Sequence, residues 1–133
     1  MTWTNGPWNG FPVRFLLTIS LALWTWGAQA ERIRVLVQSS PLAGSQYYAL
    51  PEVRSRLKVG DALILIREPA NRYDVNAIRV EWQGHKLGFV PRAQNRAVAA
   101  AMDGGDRLSA RVSRLTDDAD PWRRLEVEIY VDL

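Results

Sequence analysis

The chain has 133 residues, with 17 lysines and arginines against 14 aspartates and glutamates, one histidine and no cysteine. That length suits one domain, and the missing cysteines exclude a disulfide framework and a thiolate metal centre. A formal net charge of +3 is too small to draw in nucleic acid nonspecifically, so any such binding must come from a local patch.

The first segment, MTWTNGPWNGFPV, carries Trp3, Trp8, Gly6, Gly10 and two prolines but no cation. Arg14 then precedes an apolar run from Phe15 to Trp26, followed by Ala28-Gln29-Ala30. A basic residue, an apolar run and small-x-small form the pattern of a secretory signal. The run is shorter than the roughly 18–20 residues needed to span a bilayer. Residues 1–30 are therefore expected to be a signal peptide cleaved after Ala30, the alternatives being an uncleaved N-terminal anchor or a core helix. The protein is then exported, to the periplasm or beyond. A signal normally has its charge near the start, which points to Val13, read from a GTG codon, as initiator.

The remaining domain, 31–133, keeps 16 basic residues against 14 acidic. Glu31 to Gln38 alternates arginine with Ile33, Val35 and Val37 and reads as a strand. SSPLAGS is loop, Tyr47 to Leu50 a short extended piece, and Pro51 opens one helical turn. After a turn at Val59-Gly60-Asp61, Ala62 to Glu68 is an apolar strand. PANRYDV is a turn-rich connection. NAIRVEW is the next strand, and Gln83-Gly84 turns the chain into the strand HKLGFVPR. Ala93 to Met102 is the one convincing helix, closed by Asp103-Gly104-Gly105. Arg107 to Leu115 is a strand, TDDADPW a polar loop, and Arg124 to Val131 the last strand. About six short antiparallel strands with one or two short helices predict a mainly β fold. The expected architecture is a small OB-like or SH3-like β-barrel, because closing removes exposed edges.

Catalytic and metal chemistry find little here. The single histidine, His85, falls in the turn QGHK; a zinc site would need three carboxylates around it, and no serine–histidine arrangement is evident. His85 reads as an exposed turn residue. TDDADPW lacks the spacing, central glycine and terminal glutamate of a calcium-binding EF-hand loop, and reads as a solvated acidic loop. No cofactor is expected. What remains is aromatic and basic: Tyr47, Tyr48, Tyr73 and Phe89 beside Arg67, Arg72, Arg79 and Arg92. Such residues stack bases and hold phosphates, though they could equally plug a barrel mouth and solvate a surface.

Gly60-Asp61 followed by LILIREPANRYDVNAIRV and then HKLGFVPR resembles the HIRAN domain family. The central match runs unbroken from Arg67 to Val80 and continues at Gly88-Phe89-Val90-Pro91-Arg92. Gly44 with Tyr47-Tyr48 looks like the family's G-x-x-Y-Y element, so the likeness covers roughly Arg34 to Leu115. HIRAN domains are known chiefly at the N-terminus of fork-remodelling helicases, and the resemblance implies an OB-like barrel that captures a free 3′ end of single-stranded DNA. Carried over by motif position, Tyr47 and Tyr73 would stack on terminal bases, Asp74 would accept from the 3′-hydroxyl, and Arg92 would contact a phosphate. Phe89 stands where some members have histidine and Gln46 where some have arginine. Asp74 has a second reading as an Asx-turn residue bonding the backbone two residues on. No helicase motif or RING-like zinc module is visible, so the expectation is a binding module and not an enzyme. The alternative is a structural or protein-interaction barrel of the cell envelope that has lost DNA binding.

Overall fold

In the computed structural model, which describes residues 33–133, six strands alternate with short helices. The signal peptide or anchor expected in 1–30 lies outside the described residues, and among these no helix is long and apolar enough to cross a membrane. The strands are β1 (Arg34–Pro41), β2 (Ala62–Arg67), β3 (Ile78–Trp82), β4 (His85–Phe89), β5 (Arg107–Leu115) and β6 (Leu125–Asp132). The helices are α1 (Leu50–Val53) and α2 (Arg96–Asp103). Three 3-10 turns join them, at Ser45–Tyr47, Arg92–Gln94 and Pro121–Arg123.

All strand pairs are antiparallel, in the order β1-β6-β5-β2-β3-β4. β2 turns the corner. Ala62 and Leu63 pair with β5, whereas Ile64 to Arg67 pair with β3. The ring closes where Ala43, just past β1, bridges Phe89 of β4, with the two backbone N–H groups donating across at 2.8 and 3.0 Å. Gly88 makes this approach possible, since a Cβ there would stand 2.4 Å from the Ala43 carbonyl oxygen. Register shifts in β1, β4 and β5 mark bulges, which bend strands as a small barrel requires. The expectation of a small OB-like barrel of six strands is met.

The interior is filled by the alternate residues that the sequence pattern marks, including Ile78 and Val80 of β3, Leu87 of β4 and Leu125, Val127 and Ile129 of β6. Val53 and Leu57 from the α1 segment and Val98 and Ala99 of α2 join the same cluster.

Four local expectations are corrected. Tyr47 to Leu50 is not extended. Gly44, at φ +74°, starts a 3-10 turn in which Tyr47 N–H donates to Gly44 O, and Leu50 already begins α1. β1 starts later and runs to Pro41, because its pairing with β6 continues through Pro41 and Glu126. The helix begins at Arg96, because the chain first makes a 3-10 turn in which Gln94 N–H donates to the Pro91 carbonyl at 2.9 Å, and the i to i−4 bonds start with Ala99 N–H on the Asn95 carbonyl at 2.8 Å. His85 is half-buried and opens β4, stacked on Trp82, its hairpin partner, at 6.1 Å between ring centroids.

Candidate functional site

The connection between β2 and β3 is held in shape by its own side chains. Asn71 Oδ1 accepts from the backbone N–H groups of Tyr73 (2.9 Å) and Asp74 (3.2 Å). The Asn71 amide donates to one Glu68 oxygen at 3.1 Å, and Arg79 donates to the other at 3.0 Å. Arg67 forks onto both oxygens of Asp103 and also donates to the Ala77 carbonyl. Two of the expected ligand-facing arginines, Arg67 and Arg79, are therefore committed to the loop. Arg72 is exposed and lies over the Tyr73 ring at 5.7 Å.

The structure shows the Asx-turn reading of Asp74. Its Oδ1 accepts from Asn76 N–H at 2.9 Å, which is the Asx turn. Its Oδ2 accepts from the side-chain amide of Asn95 at 2.7 Å, and Asn95 is only 1% exposed. A carboxylate has about four acceptor positions, so two remain for a ligand while the chain fixes the group's orientation. The Tyr73 ring next to it is 79% exposed.

These residues line one groove of about 430 Å³, with Tyr48, Tyr73, Asp74, Lys86, Phe89 and Arg92 on its walls. Tyr48 and Phe89 meet edge to face at 5.9 Å. Lys86 Nζ sits 4.1 Å from the Tyr48 ring centroid and 4.6 Å from that of Phe89, close enough for a cation–π contact. Five of the six residues expected from the sequence thus come together. The sixth, Tyr47, does not line the groove; it follows Gln46 in the 3-10 turn, its ring 79% exposed.

Lys86 and Asn95 escaped the sequence reading. In a regular strand, residues 86 and 89 point to opposite faces. In β4, Phe89 pairs with Arg79 and Lys86 with Glu81, leaving Leu87 as the extra residue between. Residues 79 and 81 share a face of β3, so the bulge brings Lys86 to the same side as Phe89. No residue pattern announces that bulge. In the sequence Asn95 is one position of the expected helix from Ala93 to Met102, and only packing shows that it faces Asp74.

Elsewhere, on β5 and β6, Glu128 accepts from the Tyr130 hydroxyl and from Arg111 at 2.8 Å. The Tyr130 bond and then the Arg111 bond hold the Glu128 carboxyl below its usual range. The bond to Glu128 correspondingly raises Tyr130. These residues take no part in lining the groove. Among the described residues no group of three or more histidines, aspartates or glutamates could hold a metal ion.

Comparison with known proteins supplies the family. The family model of the HIRAN domain matches residues 35–133. A crystal structure of a protein from Lactobacillus plantarum is 34% identical, with a TM-score of 0.65, covering 74% of this chain and 95% of its own. The crystal structure of the HIRAN domain of human HLTF is 23% identical, with a TM-score of 0.56 and coverage of 74% and 78%. No match is found among curated proteins. The chain belongs to the HIRAN domain family.

Proposed function

We propose that this HIRAN domain binds single-stranded DNA and takes its free 3′ end into the groove between Tyr48, Tyr73 and Phe89. The observation that carries the reading is Asp74: a carboxylate at the groove wall, oriented by Asn76 and Asn95 and still able to accept. A carboxylate repels an internal phosphate but accepts well from a hydroxyl, so this position favours an end over an interior. The exposed Tyr73 ring offers a stacking surface at the groove, a base contact worth about 1–3 kcal/mol. Arg92 and Lys86 supply cations for the phosphate next to the end.

Fluorescence anisotropy with a short 5′-labelled oligonucleotide tests this directly. The strand ending in a 3′-hydroxyl should bind more tightly than the same strand ending in a 3′-phosphate. Tyr73→Ala should weaken both, by about 5- to 100-fold for the loss of one stacked base. Asp74→Ala should abolish the preference. Equal binding of the two strands by the unaltered protein rejects end capture.

Export is part of the proposal, resting on the Arg14, Phe15–Trp26 and Ala28-Gln29-Ala30 pattern. Sequencing the N-terminus of the protein isolated from cells checks it, the expected first residue being Glu31. A second reading, a protein-interaction barrel of the envelope, is favoured by one observation: Ile33, Val35, Leu36 and Val37 at the start of the β1 segment are all exposed. It gains ground only if no oligonucleotide binds.

A further inference from the structure

Tyr73, Asp74 and Arg92 wall a second depression as well, of about 400 Å³, whose remaining walls include Arg72 and Arg96. Arg72, Arg92 and Arg96 are all exposed, and among the described residues none of the three takes part in an ion pair. Arg67, Arg79, Arg111 and Arg114, by contrast, each hold a carboxylate. The one carboxylate lining this depression is Asp74, which already accepts two hydrogen bonds from the chain.

The placement has a direction. Arg92, on the 3-10 turn, and Arg96, the first residue of α2, stand on either side of Asn95 in the chain, so the segment that anchors Asp74 also brings two arginines to the lining of the depression. Arg72 joins them from the β2–β3 connection, next to Tyr73. Aromatic rings therefore line one side of the Tyr73–Asp74 wall and arginines line the other. Asp74 disfavours a phosphate at the wall itself, whereas planar guanidinium groups pair with phosphate oxygens in fork geometry.

We infer that the arginine-lined depression carries the phosphodiester backbone of the strand on the 5′ side of the captured end, with Arg72 and Arg96 holding phosphates beyond the one next to Arg92. The inference rests on the reading that the aromatic groove takes a strand end. It assigns the domain a footprint longer than a terminal dinucleotide and gives the bound strand a path off the protein.

The test compares the unaltered protein with an Arg72→Ala/Arg96→Ala double variant. Both side chains are exposed, so the fold is kept. Binding of 5′-labelled thymidine dinucleotide, tetranucleotide and octanucleotide is followed by anisotropy at several salt concentrations. The unaltered protein should gain about ten-fold in affinity from two to four nucleotides, and the double variant should lose that gain. Its salt slope should be shallower by about 1.4, the value for two phosphates of a single strand. A tetranucleotide with neutral methylphosphonate at its two 5′-most linkages should bind the unaltered protein no better than the dinucleotide. An unchanged octanucleotide affinity and salt slope in the double variant overturns the assignment, even if the 3′-hydroxyl preference holds. Loss in the double variant with equal binding of 3′-hydroxyl and 3′-phosphate strands sinks end capture and leaves the depression as a phosphate path. No binding of any oligonucleotide overturns both.

Discussion

Two connections in this barrel use nearly the same residues to different ends. The one between β2 and β3 sets Asp74, the exposed Tyr73 and Arg72 between strands, and the one between β5 and β6 sets three aspartates, the exposed Trp122 and two arginines. In the second, nearly every bond returns to the loop itself. Asp118 accepts from Asp120 N–H, Asp120 accepts from Trp122 N–H, and Thr116 donates to the Arg123 carbonyl. Arg124 is spent on the carbonyls of Asp118 and Ala119. Asp117 does reach out to Arg54 at 3.0 Å, but its side chain is 91% exposed, where such a pair contributes little. The first connection is tied outward more firmly, by Arg79 on Glu68, by Arg67 on the Ala77 carbonyl and above all by the bond that the buried Asn95 donates to Asp74. Local turn chemistry gives both loops a shape. In the first, a buried group on another element also fixes the carboxylate, through the bond that Asn95 donates to Asp74.

The contrast is broken most severely at Asn95. Asn95→Ala should lower stability by about 1–3 kcal/mol, because it empties a buried site and leaves polar groups unpaired, and should erase the 3′-hydroxyl preference. Urea denaturation and anisotropy measure the two effects. A loss below about 0.5 kcal/mol with the preference intact would make the Asp74 tether incidental. Asp120→Ala sharpens the comparison from the other side. It removes one capping bond, worth about 1 kcal/mol at most at so exposed a site, and oligonucleotide binding should not move.

The smallest effect lies away from both loops, at Glu128→Gln. Glu128 is held below its usual range by Tyr130 and Arg111. Its contribution is therefore present above the ordinary carboxylate value and is lost as the pH falls through the lowered, folded one. Tyr130 is raised by the bond to Glu128, so its share is present below the ordinary tyrosine value and is lost as the pH rises through the folded one. The glutamine variant should flatten the acid limb of melting temperature against pH while leaving DNA binding unchanged.

Much of this was legible in the residues. Alternation of Ile78, Val80 and Trp82 gave β3, the turn signals gave the hairpins, and the stretch Arg67 to Val80 carried the family likeness. Five of the six proposed contact residues do share a groove. What stayed hidden was relational. The extra residue Leu87 decides which face Lys86 occupies, and sequence periodicity cannot see an insertion that has no turn residue to mark it. Arg67 and Arg79 look as free as Arg72 in a string of letters, and only the fold shows that Asp103 and Glu68 have claimed them. Tyr47 and Tyr48 are neighbours in the chain, yet a left-handed Gly44 and the turn behind it send only Tyr48 into the groove.

The bridge from Ala43 to Phe89 has a kinetic meaning. It fastens positions far apart in sequence with two backbone hydrogen bonds, so closing it costs loop entropy for little local return. Ala43 and Phe89 are also walls of the aromatic groove. The groove is therefore complete only while the barrel is shut, and a strand end bound there as proposed would slow the seam's opening. Amide hydrogens of Ala43 and Phe89 would report that slowing as protection against exchange, without reference to any label on the DNA.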